Sequence, residues 1–156
     1  MIRLVIVDDM PDIRNYLAEE LAAASEQFSV VGAAEDGTEA VKLVDSLLPD
    51  VVLMDIQMKT RTEGIYAIRI IHERHPDIKC IALTIHEDDE LIFQAYLAGA
   101  ADYIIKTRSI DTIKNSILAV VNNRLLLRPE VGQRLIQEYQ RVQNQENRMK
   151  IGRASC

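Results

Sequence analysis

Five short apolar runs, each followed by a segment of helical period, constrain this chain more than any other feature. The runs are "IRLVIV" (2–7), "FSVVGAA" (28–34), "VVLM" (51–54), "IKCIALT" (78–84) and "YII" (103–105). They are rich in β-branched residues and largely continuous, the pattern of strands covered on both faces in a parallel sheet. Between them, Pro11 stands in the first turn of a helix carrying Ile13, Tyr16, Leu17 and Leu21. Gly37 precedes a stretch with Ala40, Val41, Val44, Leu47 and Leu48, which Pro49 stops. Gly64 to Arg74 sets Ile65, Ile68 and Ile71/His72 on one side, and Pro76 ends it. Asp88 to Ala98 closes at Gly99, and Ser109 or Asp111 caps a fifth helix with Ile113, Ile117 and Val120/Val121 facing inward. Such repeats predict an α/β fold, an open parallel sheet with helices on both faces.

Ligands of such sheets bind beyond the carboxyl ends of the strands, near a switch in strand order. The first run ends in Asp8 and Asp9, the third in Asp55, the fourth in Thr84 and the fifth in Lys106. In the flavodoxin-like order 2-1-3-4-5, strands one and three are neighbours at the switch point. Three carboxylates would then converge, with a hydroxyl and an ammonium beside them. Adjacent carboxylates at the end of a buried run are costly unless a positive partner compensates. All the ligands are hard oxygens, with no His or Cys in the set, which favours Mg²⁺ over zinc. A cation with Lys106 and Thr84 would cradle phosphoryl oxygens, and one carboxylate facing outward would be a nucleophile. Each residue alone has a plainer role, a helix cap or a solvated lysine; the joint pattern carries the reading.

At 156 residues the chain is one domain of ordinary size with an appendage. No apolar run approaches the roughly 20 residues that span a bilayer. The N-terminus enters a strand-like segment directly, without a signal-peptide pattern, and the expected location is cytoplasmic. Cys80 and Cys156 make neither a disulfide framework nor a metal site. Residues 1–123 carry 11 Lys and Arg against 21 Asp and Glu, a balance of −10, whereas residues 124–156 carry 7 against 3, a balance of +4. The acidic body argues against nucleic-acid binding by that part.

Residues 1 to about 123 resemble the receiver domain of two-component response regulators, in the paired acids, "LMDIQM", "LT" and "GAADYIIK" in that order. The resemblance implies that Asp55 accepts a phosphoryl group from the phosphohistidine of a histidine kinase. It also implies that Asp9 and Asp55 ligate Mg²⁺ directly with the Gln57 backbone carbonyl, Asp8 acting through water. Thr84 and Lys106 would bind phosphoryl oxygens. Tyr103 would swing inward when Thr84 engages the phosphoryl group, remodelling the surface of helix four, strand five and helix five. The implied role is regulatory rather than enzymatic, with self-phosphorylation and slow self-dephosphorylation only. Some positions depart from the family pattern. Lys59 stands where a proline usually follows the motif's methionine, and Gly64 comes one residue late. Thr107 replaces the proline after the lysine, leaving the Lys106–Thr107 bond open in conformation, and Ile85 replaces a small residue after Thr84, with His86 next.

In the remainder, Pro129 suits the first turn of a further helix, with Val131, Leu135, Tyr139 and Val142 near one face. This resembles the linker helix joining a receiver to a LuxR-type helix-turn-helix domain, and residues 143–156 are polar and too few to form that domain. The organisation expected is a receiver over 1–123 and a linker helix with polar tail over 124–156, either an excised receiver or a natural single domain. DNA would be contacted only through an absent C-terminal domain; the stripe could pack on the receiver or pair in a homodimer, and no membrane partner is expected. A haloacid-dehalogenase phosphohydrolase needs Asp-x-Asp after a strand, but Met10 and Gln57 occupy the third positions. A flavodoxin needs a Ser/Thr/Gly-rich phosphate loop where this chain has "DDMPD". A receiver-like interaction domain that is never phosphorylated usually has degraded acids, and these are intact.

Overall fold

The computed structural model describes residues 1–60, 62–85, 87–106, 109–124 and 129–154, with 130 and 150–154 described by backbone alone. His86 and the Lys106–Thr107 bond lie outside the described residues. The order is β1 (Ile2–Val7), α1 (Pro11–Ala22), β2 (Phe28–Ala34), α2 (Gly37–Leu47), β3 (Val51–Asp55), α3 (Glu63–Arg74), β4 (Lys79–Thr84), α4 (Asp89–Ala98), β5 (Asp102–Ile105), α5 (Ile110–Val121) and α6 (Pro129–Ala154). All pairings are parallel and the strand order is β2-β1-β3-β4-β5, the flavodoxin-like arrangement expected from the sequence.

Continuous apolar runs become strands because both faces of the sheet are covered. Leu4, Ile6, Leu53, Ile81 and Leu83 join Leu17, Leu21, Ile113 and Ile117 of α1 and α5 in one core layer. Val5, Val7, Val52 and Met54, alternating with them, are equally buried on the opposite side of the pleat. Helix ends follow local chemistry. Pro11 occupies the first position of α1. The side chains of Asp36, Asp88 and Ser109 accept hydrogen bonds from the opening amides of α2, α4 and α5. Gly99 ends α4 with φ of 113°, a left-handed conformation that glycine adopts without strain. Cys80 is buried on β4, and that burial pushes its thiol up to about 12, so it is an inert core residue.

The chain divides into two compact units, Met1–Leu126 and Leu127–Cys156. In the second, α6 carries the helix opened by Pro129 through the polar stretch to Ala154. Gln, Glu, Arg and Met in that stretch are good helix formers, so polarity does not stop the helix. Ile136, Tyr139, Val142 and Met149 are exposed along it. Among the described residues no helix is long and apolar enough to cross a membrane.

Candidate functional site

Register brings the strand ends together. Val7 pairs with Met54, so Asp8 stands level with Asp55 across the β1–β3 boundary. Asp55 pairs with Leu83, placing Thr84 one residue further out, and Thr84 pairs with Ile105, placing Lys106 one further again. The ends thus form a rising rim over the switch point, and the long Lys106 stem reaches back across it. Its Nζ lies 2.6 Å from Asp8 Oδ2 and 3.2 Å from Asp55 Oδ2.

The three partners are almost wholly out of water, with side-chain exposure of 8% for Lys106, 0% for Asp8 and 3% for Asp55. One ammonium thus serves two buried carboxylates and can balance only one negative charge between them. Burial pushes the Asp55 carboxyl up to about 7; the nearby Lys106 opposes the rise and the Asp8 charge adds to it. One carboxylate oxygen from each of Asp8, Asp9 and Asp55 lies within 4.8 Å of the other two, close enough to share one cation. Among the described residues only one other acidic group is so placed, Glu35, Asp36 and Glu39, where Asp36 caps α2.

Hydrogen bonds fix the surrounding groups. Asp8 Oδ1 accepts from the Met10 amide at 2.9 Å, and its carbonyl accepts from Arg14 Nη1 at 2.7 Å. The Gln57 amide donates to Asp55 Oδ1 at 3.1 Å, and Thr84 Oγ1 donates to Gln57 Oε1 at 3.3 Å. The Lys106 amide donates to the Thr84 carbonyl at 2.6 Å, tying the last two strand ends. The site residues expected from the sequence accordingly stand together: Asp8, Asp9, Asp55, Gln57, Thr84 and Lys106. Tyr103, three residues before the lysine, is buried at 2% exposure. Its neighbour Asp102, also buried, accepts from Ser116 Oγ of α5 and from Tyr96 Oη of α4. Asp102 thus links β5 to both helices beside it.

Two side chains with contacts in this region escaped sequence reading: Arg14, which meets the Asp8 carbonyl, and Glu63, which accepts from the amides of Gly37 and Lys59. Arg14 lies on a helix face with no motif around it. Glu63 sits in the stretch "QMKTRTEG", where the irregular spacing before Gly64 was the available signal. Gly64 has its own constraint. A side chain there would collide with the carbonyl of Asp55 and with Ile56 Cα, so α3 starts directly against the backbone of the strand that ends in Asp55. Gly64→Ala is expected to destabilise the fold by roughly 1–3 kcal/mol and to shift the Asp55 amide resonance. A variant with unchanged denaturation midpoint would contradict this close approach.

Comparison with known proteins agrees with this fold. The family model described as "Response regulator receiver domain" matches residues 4–118. The chain is 36% identical over 145 residues to transcriptional regulatory protein DegU of Brevibacillus brevis, covering 93% of this chain and 61% of that protein. It is 34% identical over 152 residues to transcriptional regulatory protein YdfI of Bacillus subtilis, covering 97% and 70%. Its structure resembles that of a LuxR-family two-component response regulator from an Aurantimonas species, with TM-score 0.76, 27% identity and coverage of 89% of this chain and 98% of that one.

Proposed function

Because the chain belongs to the response regulator receiver family, whose domains are regulatory phosphoacceptors served by sensor histidine kinases, we propose that Asp55 takes a phosphoryl group from a kinase phosphohistidine. The observation carrying this is the triad at the sheet's carboxyl end: Asp55 facing Asp8 with Lys106 between them. A carboxylate oxygen of Asp55 bonds to phosphorus as the phosphorus–nitrogen bond breaks, and the imidazole leaves with its electron pair and takes up a proton. Lys106, released from part of its pairing, meets an equatorial phosphoryl oxygen, and Thr84 donates its hydroxyl to another. The hard-oxygen donor set fits Mg²⁺, with Asp9, Asp55 and the Gln57 carbonyl as direct ligands and Asp8 acting through water. That ion would neutralise charge on the phosphoryl group.

Thr84 is the last residue of β4 and Tyr103 lies on the adjacent strand, so engagement of Thr84 bears on the α4–β5–α5 surface. That surface would be the output of the switch, passing the state of Asp55 onward. The chain spans 61% of the length of DegU, named a transcriptional regulatory protein, and that name, with the LuxR-family name of the similar Aurantimonas structure, supports a role in controlling a LuxR-type DNA-binding regulator. In this reading residues 1–123 are the receiver and 124–156 the linker. DNA binding would belong to a domain beyond the matched region, α6 offers a surface for a homodimer, and the protein works in the cytoplasm.

Ile85 follows Thr84 and is half exposed at 49%. With Ile13, Ile110 and Lys106 it lines a cavity of about 180 Å³ beside the site. We read it as a shield against attacking water, so Ile85→Ala should shorten the aspartyl-phosphate lifetime by a factor of several. An unchanged lifetime would remove that role. The function itself is tested by adding beryllofluoride with and without Mg²⁺ and following backbone amides. Shifts at Asp55, Thr84 and Tyr103 that need Mg²⁺ are expected, and an unresponsive spectrum would overturn the proposal.

A further inference from the structure

Gln57, the residue proposed to offer a carbonyl to the metal, sits on the loop between β3 and α3. That loop lacks the stiffness a proline at position 59 would give it, and Lys59 retains an amide that proline does not have. The amide is used: it donates to Glu63 Oε2 at 3.2 Å. The other oxygen of the same carboxylate, Oε1, accepts from the amide of Gly37 at 2.9 Å. Gly37 is the first residue of α2, where backbone amides lack partners within the helix and favour an anion. The Asp36 cap serves the amide of Glu39 instead, at 2.7 Å, leaving that of Gly37 to Glu63. Helix α2 is itself fixed to the core by fully buried Ala40 and Val44. At the base of Glu63, Gly64 holds the start of α3 against Asp55, with its amide donating to the Ile56 carbonyl at 3.3 Å.

We propose that Glu63 is a positioning residue: by bridging the Gly37 and Lys59 amides it fastens the loop to α2, sets where the Gln57 carbonyl stands, and so tunes the site's affinity for a divalent cation. The argument rests on connectivity. Gln57 is held on one side by Asp55 and Thr84. Two residues on, only the Glu63 bond among the described contacts anchors Lys59 to a neighbouring element. Without it the carbonyl between these points would sample more orientations, and a metal would have to order them on binding. A carboxylate that merely completed the N-terminus of α2 would leave metal affinity unchanged when replaced.

This inference depends on the Mg²⁺ reading above, and the test separates the two. Mg²⁺ is titrated calorimetrically into the full chain, the Glu63→Ala and Glu63→Gln variants, and the double variant Glu63→Ala with Lys59→Pro. Amide hydrogen exchange is followed in the metal-free proteins. Glu63→Ala should bind Mg²⁺ roughly 10-fold more weakly, the loss typical of removing a group that orients a metal ligand. Its Lys59 and Gly37 amides should exchange faster, and the added proline should recover part of the affinity by fixing φ at position 59. Glu63→Gln keeps the side-chain volume and one accepting oxygen, so it should protect one of the two amides, and it carries the test if the alanine variant does not fold. Wild-type binding of Mg²⁺ that both variants retain in full would overturn the inference alone. A wild-type chain that binds no Mg²⁺ would overturn the metal reading and this inference with it.

Discussion

Replacing Lys106 with methionine should lower the stability of the metal-free protein by about 3–5 kcal/mol near neutral pH, the usual cost of stripping a buried charge of its partner. Methionine matches much of the stem, so little of this would come from lost packing. The cost arises because Asp8, which Lys106 meets at 2.6 Å, would lose its cation, and Asp55, met at 3.2 Å, would lose the charge that opposes its rise and be driven further towards the protonated form. Adding Mg²⁺ should restore part of the loss, since an ion that binds only the folded state stabilises it by mass action. Urea denaturation with and without Mg²⁺ reads both effects. A midpoint unmoved by the substitution would mean that the ion pairs do not hold the site together.

Asp55→Asn should abolish phosphoryl acceptance and at the same time make the metal-free fold more stable. The sign follows from the raised carboxyl. Burial lifts Asp55 from 3.8 to about 7, so the folded chain holds a proton that the unfolded chain has released. The stability this contributes is fully present below 3.8 and is lost as pH rises through about 7. Asparagine does not titrate and keeps the shape. The advantage of the variant over the wild type should therefore grow across that window, reaching a few kcal/mol at its upper end. Denaturation midpoints of the two proteins measured across the window check this, and parallel curves would contradict it. The result would also separate function from stability, since the group that weakens the metal-free fold is the one proposed to do the chemistry.

The strands were legible because burial on both faces writes itself as continuous β-branched runs, and "VVLMD" reads as a core strand ending in a polar group. The strand-end residues were legible for the same reason: a carboxylate or ammonium directly after such a run has no place in a core. Other parts depend on contacts distant in the chain. The bond from Glu63 to the Gly37 amide joins residues 26 apart, and no local period encodes it. Arg14 reaches the Asp8 carbonyl from a helix whose pattern predicts only its buried face. The continuation of α6 through residues 143–154 was hidden by polarity, which marks exposure and says little about backbone conformation. Tyr103 reads as a strand residue from sequence, but its burial is decided by the helices packed around β5.

The central claim is that this acidic site takes a phosphoryl group on Asp55 with the help of a divalent cation. The most direct measurement is incubation with acetyl phosphate, with and without Mg²⁺, followed by mass-spectrometric mapping of the modified residue. The account predicts one base-labile, hydroxylamine-sensitive phosphoryl group on Asp55, formed only with Mg²⁺ and missing from Asp55→Asn. A phosphoryl group on any other residue, or one that forms equally well without the metal, would contradict it.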